Sequence, residues 1–218
     1  MRALVIGATG GIGRAVTARY RSQGVEVVAL SRRETGFDLR DADSVEQGMR
    51  AVEGTFDRLV VATGQLAGAG RAPEKSLREV TAEALADQFA VNAIGPALVL
   101  RHLPRLLARK GDAKVAVLSA RVGSIGDNRM GGWYAYRAAK AALNQLVHTA
   151  AIELARSHPN ACLIAYHPGT VATEFTRDFK REKQTPQGAA EHLCAVLEAR
   201  ASTDSGLFFD WSGREVAW

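Results

Sequence analysis

The sequence predicts an α/β fold: a doubly wound parallel sheet of about seven strands with helices on both faces. Three observations carry this expectation. Short apolar runs alternate with helical stretches along all 218 residues. The runs are continuous rather than alternating, as strands buried on both faces should be. The connections are mostly short, as crossover units allow. A hydrophobic content of 47% with 23% charged residues suits a soluble globular chain. The length is enough for one large domain, read as residues 1–218, and short for two.

The first apolar run, residues 2–6, enters Gly7-Ala8-Thr9-Gly10-Gly11-Ile12-Gly13 and then a helix over 12–23. Glycines there permit a tight turn and close approach of a pyrophosphate to the backbone. The helix N-terminus behind them offers free amides and the positive end of a dipole. Gly7, Thr9, Gly10, Gly11, Ile12 and Gly13 are therefore candidate nucleotide contacts. Gly24 stands where a C-cap is expected. The second run, 25–30, ends in Ser31-Arg32-Arg33, with Arg14 in the facing helix. An NAD site normally places a carboxylate here on the ribose 2′-hydroxyl. A hydroxyl and guanidinium groups suit a 2′-phosphate instead, so Ser31, Arg32 and Arg33 point to NADP(H). A short strand piece at 37–39 carries Asp38 and Leu39. Asp38 either bonds the adenine amino group or is a plain loop carboxylate.

A helix over 44–52 precedes the run at 59–62, and an irregular stretch over 63–80 follows it. Next come a long helix over 81–109, a strand at 115–119, a helix over 133–156 and a strand at 163–167. A second irregular stretch, 168–184, leads to a helix over 186–200, opened by Thr185 as N-cap and Pro186 at N1, and to a last strand at 207–209. Both irregular stretches follow a strand at the carboxyl edge, where open sheets bind ligands, so both are read as functional.

Tyr136 and Lys140 are one helical turn apart and share a face of the helix over 133–156. An ammonium beside a phenol is expected to lower the phenol pKa from its usual value of about 10 and so make a proton donor and acceptor near neutral pH. Joined to a nucleotide turn, the pair implies hydride chemistry on a carbonyl or alcohol.

Other classes are disfavoured. The net charge is +5, but the arginines are spread along the chain with little aromatic interleaving, so no nucleic-acid partner is expected. No apolar run approaches the roughly 18–20 residues of a membrane span. The first residues break into glycines too early for a signal peptide. Cys162 and Cys194 read as reduced core thiols, and a cytoplasmic location follows. The histidines at 102, 148, 158, 167 and 192 have no ligand spacing, so no metal is expected. His167, before Pro168, either faces the cofactor pocket or simply ends a strand.

With these motifs in order, the chain resembles the short-chain dehydrogenase/reductase family over essentially its full length. The stretches Ser119-Ala120-Arg121-Val122-Gly123-Ser124-Ile125-Gly126 and Gly132-Trp133-Tyr134-Ala135-Tyr136-Arg137, with the ending Gly206-Leu207-Phe208-Phe209-Asp210-Trp211, resemble its C-factor-like and sniffer-like carbonyl reductases. The resemblance implies a Rossmann fold and a carbonyl substrate. It gives Tyr136 the role of general acid, and has Lys140 tune the phenol and hold the nicotinamide ribose. Asn92 would hold a water in a proton relay, and Pro168, Gly169 and Thr170 would meet the nicotinamide carboxamide. Ala62, Thr63 and Gly64 stand where the family often has Asn-Asn-Ala-Gly beside the adenine ribose. The family's substrate-orienting serine corresponds to Ala120, and Ser124 would compensate only if its loop folds inward. The family's helix bundle implies a homodimer or homotetramer. Ala120 also keeps open a second class, a nucleotide-binding regulatory protein with little turnover.

Overall fold

A computed structural model of the chain describes residues 1–68 and 71–218. The irregular stretch expected over 63–80 therefore includes two residues, 69 and 70, that lie outside the described ones. Six strands form one fully parallel sheet: β1 (Arg2–Ile6), β2 (Glu26–Leu30), β3 (Arg58–Val61), β4 (Lys114–Leu118), β5 (Cys162–His167) and β6 (Phe208–Asp210). Their order is β2-β1-β3-β4-β5-β6, so the winding reverses beside β1. The crevice at that reversal, beyond the carboxyl ends of β1 and β3, is where such sheets take ligands.

The pleat sorts each strand's side chains between two apolar layers. Leu4, Ile6, Val115, Val117, Leu163 and Ala165 point to one face. There they meet α3 (Ala42–Ala51), α5 (Gly95–Leu100), α6 (Leu103–Leu106) and α7 (Tyr134–Ala155). Ala3, Val5, Ala116, Leu118, Ile164 and Tyr166 point to the other, beneath α1 (Gly11–Ser22) and α8 (Pro186–Glu198). Thr185 caps α8 by accepting from Gly188 N, with Pro186 in the first turn, and Gly24 takes φ +74° after α1, both as the sequence implied. No helix among the described residues is long and apolar enough to cross a membrane.

Residues 37–39 form no strand. Phe37 N donates to Ser31 O and Asp38 N to Ser44 Oγ, so turn and capping groups take the backbone bonds that a sheet neighbour would. Phe37 and Leu39 still fill the core, which explains the apolar signal. A short helix unforeseen from sequence, α2 (Arg32–Thr35), precedes them and is capped by Ser31 Oγ.

The helix expected over 81–109 is broken. It runs as α4 (Ala82–Phe89), a π-turn (Ala90–Ile94), α5 and α6. Gly95 abuts Leu39 so closely that a Cβ there would lie 2.5 Å from the Leu39 Cβ, and Pro96 has no amide to give. The chain accommodates both by a wider turn, a feature common at functional sites.

Candidate active site

A cleft of about 620 Å³ opens at the carboxyl edge of the sheet, within the size range of small-molecule sites. Gly10, Gly11 and Ile12 of the first turn, Ala62, Thr63 and Gly64 after β3, and Tyr136 and Lys140 of α7 line it, with Pro168, Gly169 and Thr170 after β5. The residues expected to carry the chemistry and those expected to meet the cofactor thus line the same cleft.

The turn leaves the start of α1 free of side-chain groups. No side chain caps α1, and no acidic residue lies in its first turn. Its leading amides are therefore open to a ligand. Gly13 permits the packing behind them, since a Cβ there would lie 2.2 Å from Gly7 O. Gly7 and Gly13 thus shape the turn from behind and do not line the cleft. Thr9 O accepts from Arg14 Nη2 at 3.2 Å, and Thr9 stands outside the lining too.

The residues expected to meet the adenine side, Ser31 to Arg33 with Asp38 and Leu39, lie outside the cleft lining. Ser31 is buried and its Oγ accepts from Glu34 N at 3.2 Å, so part of its hydroxyl capacity caps α2. Arg32 and Arg33 are exposed and make no ion pair among the described residues. No carboxylate closes β2, and α2 after it carries Arg32 and Arg33 against Glu34. Asp38 Oδ1 closes a local turn on Arg40 N at 3.0 Å, which favours the plain-loop alternative for that oxygen. Leu39 has its side chain in the core, leaving only its main chain for a cofactor.

Asn92, in the π-turn, is fully buried. Its Oδ1 accepts from Gln65 N at 3.1 Å, and its Nδ2 donates to Gln65 O and Gln88 Oε1, both at 2.8 Å. It pins the start of the loop after β3. It also sits near Lys140: a Cβ on Gly64 would lie 3.4 Å from Asn92 Oδ1 and 3.7 Å from Lys140 Nζ.

Lys140 is 2% exposed, and its Nζ donates to Leu118 O at 2.8 Å. Its ammonium stands 6.0 Å from the Tyr136 ring centroid. Burial, with no carboxylate to oppose it, lowers the Lys140 pKa to about 7. Burial also raises that of Tyr136. The expectation that the ammonium draws the phenol pKa down is therefore corrected. Desolvation favours the neutral form of both groups.

Ser124 does not reach the cleft. It is buried, and its Oγ accepts from Asp127 N at 3.1 Å. Ala120 lines the wall as a methyl. Ser119 lines it as well, but its hydroxyl proton goes to Asn144 Oδ1 at 2.6 Å.

Trp133 and Arg137, which flank Tyr136 in sequence and could either shape substrate access or serve packing, stand at the start of α7. Sequence reasoning missed the residues that meet Trp133 and Tyr136 there, Glu74, Phe175 and Phe179. Trp133 holds φ +54°, the one non-glycine residue at positive φ among those described, directly after Gly131 and Gly132 at +63° and +66°. A loop residue braces this left-handed run: Glu74 O accepts from Trp133 N at 2.5 Å, and its buried carboxylate accepts from Ala135 N at 3.3 Å. Arg137 clamps the same turn through Gly132 O at 2.9 Å, Gly131 O at 3.1 Å and Val122 O at 3.2 Å. The Trp133 ring then meets Tyr136 edge-on at 6.3 Å and Phe179 at 5.7 Å, while Phe175 lies 6.0 Å from Tyr136. The length of 168–184 was the only sequence signal for the two phenylalanines, and a lone loop carboxylate gave none for Glu74.

Residues 7–197 match the family model described as enoyl-(acyl carrier protein) reductase. The chain is 31% identical to 1-hydroxy-2-glutathionyl-2-methyl-3-butene dehydrogenase of Rhodococcus sp. (strain AD45), over 99% of this chain and 98% of that one. Among solved structures it superposes on a carbonyl reductase from Pseudomonas aeruginosa PAO1 at 27% identity and TM-score 0.82, covering 100% of this chain and 99% of that one. An NADPH-bound carbonyl reductase from chicken fatty liver shares the fold at TM-score 0.84 and 21% identity, over 100% and 98% of the two chains. The chain belongs to the short-chain dehydrogenase/reductase family, whose members are oxidoreductases.

Proposed function

We propose that the protein reduces an aldehyde or ketone to an alcohol with NADPH. The convergence of Tyr136, Lys140, the uncapped start of α1 and the Pro168-Gly169 turn on one cleft carries this reading. NADPH, when bound, supplies the hydride. Gly10, Gly11 and Ile12 would hold its pyrophosphate on their amides, and Arg32 and Arg33 its 2′-phosphate, with Ser31 beside them. Lys140 would hold the nicotinamide ribose, and Pro168, Gly169 and Thr170 the carboxamide. The NADPH-bound neighbour agrees with this cofactor.

Tyr136 Oη gives the proton to the carbonyl oxygen. Burial keeps that phenol protonated at neutral pH, the form that reduction needs and oxidation does not. Trp133, Phe175 and Phe179, with Met130, favour a substrate with an apolar or aromatic body. The reading extends to a cytoplasmic homodimer or homotetramer, for which exposed Ile94 and, on α7, Leu146 and Ile152 supply apolar surface.

The test follows NADPH absorbance with a panel of aldehydes, ketones and an enoyl thioester, for wild type and Tyr136→Phe. Turnover of an aldehyde or ketone that disappears in Tyr136→Phe is expected. Cofactor binding without turnover, or turnover of the enoyl thioester alone, overturns the reading.

A further inference from the structure

The strand register supplies a side chain where the cleft lacks one. β4 and β5 pair in parallel with Leu118 beside Tyr166, and Ser119 N donates to Tyr166 O at 2.8 Å. Ser119 is therefore the register neighbour of His167, and Ala120 follows it one residue further from the sheet. Ala120 and His167 both line the cleft together with Tyr136. Along β5, Leu163 and Ala165 lie in the layer beneath α7, whereas Cys162, Ile164 and Tyr166 lie in the opposite layer. By that alternation His167 projects on the α7 side, which carries Tyr136.

Polar groups near this point are otherwise committed. The Ser119 proton goes to Asn144, Ser124 faces away, and the Arg121 guanidinium pairs with Asp127 at 2.5 Å. Among the described residues that line the cleft, Thr63 and His167 each keep a buried polar atom without a partner, and His167 is the one at the end of β5. Its Nδ1 is sealed from solvent without a partner, so Nε2 is the nitrogen left to meet a ligand.

We propose that His167 is a catalytic residue whose Nε2–H donates a second hydrogen bond to the substrate carbonyl oxygen, in place of the hydroxyl that Ala120 lacks. The assignment rests on the reductase reading above. Hydride adds to the carbonyl carbon, the π electron pair moves onto oxygen, and the Tyr136 proton completes the alcohol. NADPH is the reductant, and His167 keeps its proton throughout. Burial lowers the His167 pKa to about 4, so the ring is neutral at neutral pH and carries one N–H.

The test is a double-mutant cycle of wild type, His167→Ala, Ala120→Ser and the double variant, with His167→Asn as a variant that can still donate. NADPH oxidation gives kcat, cofactor fluorescence gives the NADPH dissociation constant, and thermal melting reports folding. His167→Ala is expected to lower kcat by about 10², the typical loss of one oxyanion donor, with NADPH affinity within about twofold. In the Ala120→Ser background the same substitution should lower kcat by less than about tenfold, because a hydroxyl now serves the oxygen. His167→Asn should retain more activity than His167→Ala. Equal losses in both backgrounds overturn the assignment, as does weakened NADPH binding with kcat intact. Tyr136→Phe, assayed alongside, reports on the reductase reading alone. A wild type that reduces no carbonyl overturns both.

Discussion

Lys140→Met should uncouple the protein's stability from pH in a defined window. The wild-type lysine is almost wholly buried, and its pKa falls from 10.5 to about 7 on folding. Between those values the unfolded chain binds more protons than the folded one, so wild-type stability rises with pH across the window. The fall from 10.5 to about 7 corresponds to about 4 kcal/mol of penalty at pH 7, where the folded lysine is half protonated, and about 2 kcal/mol at pH 9. Methionine fills similar volume without titrating, but it leaves Leu118 O without its 2.8 Å donor, a loss of about 1–3 kcal/mol that does not depend on pH. Lys140→Met should thus be more stable than wild type at pH 7, with the advantage shrinking by about 2 kcal/mol by pH 9. Urea unfolding at pH 7, 8 and 9 and fixed protein concentration measures it. Burial raises the pKa of both Cys162 and Cys194, which lowers stability as pH rises, but equally in both proteins, so they cancel in the difference. A difference between the two proteins that stays constant from pH 7 to 9 would refute the argument.

Three further outcomes can be checked directly. Arg32→Glu combined with Arg33→Ala should raise the KM for NADPH by about tenfold or more while leaving that for NADH within a few-fold, since only the 2′-phosphate contact is lost. Gly13→Ala puts a Cβ 2.2 Å from Gly7 O, a backbone atom that cannot step aside. Thermal melting should show about 1–3 kcal/mol of destabilisation, and NADPH binding should weaken with it. Glu74→Gln, whose amide oxygen can still accept from Ala135 N, should hold activity better than Glu74→Ala, which loses a helix-start acceptor worth about 1 kcal/mol. Equal kcat in the two Glu74 variants would remove that side chain from the support of α7.

The sheet was readable because its code is local. Continuous apolar runs of four to six residues became β1 to β5 within one residue at each end, and Gly24 and Thr185 punctuated α1 and α8 as their chemistry requires. The misreadings arose where tertiary contacts overrode a good local pattern. Phe37 and Leu39 are apolar and spaced like a strand, yet they are core plugs on a turn bonded by Ser31 and Ser44. Ala82 to Leu106 has the composition of one helix. The contact of Gly95 with Leu39, 56 positions earlier, sets a π-turn within it, and no window of sequence contains that contact.

The site divides along the same line. Glycines and the Tyr136/Lys140 spacing are covalent facts, so they could be read directly, and Gly10 and Gly11 line one cleft with Tyr136 and Lys140. Protonation states are not covalent facts. Sequence proximity suggested that Lys140 acidifies Tyr136, whereas their shared burial acts on each separately and favours the uncharged form of both. That reversal bears on direction. A phenol kept protonated is poised to give a proton to a nascent alkoxide, and a lysine near neutrality can both give and take one. Reduction then needs no prior ionisation of Tyr136, whereas alcohol oxidation must first remove its proton against the desolvation that burial imposes. The rate of alcohol oxidation should therefore climb with pH over a range in which carbonyl reduction by the same protein stays level. Initial rates in both directions between pH 6 and 9, with cofactor saturating, would show it, and parallel profiles would mean that burial does not set the proton inventory of this site.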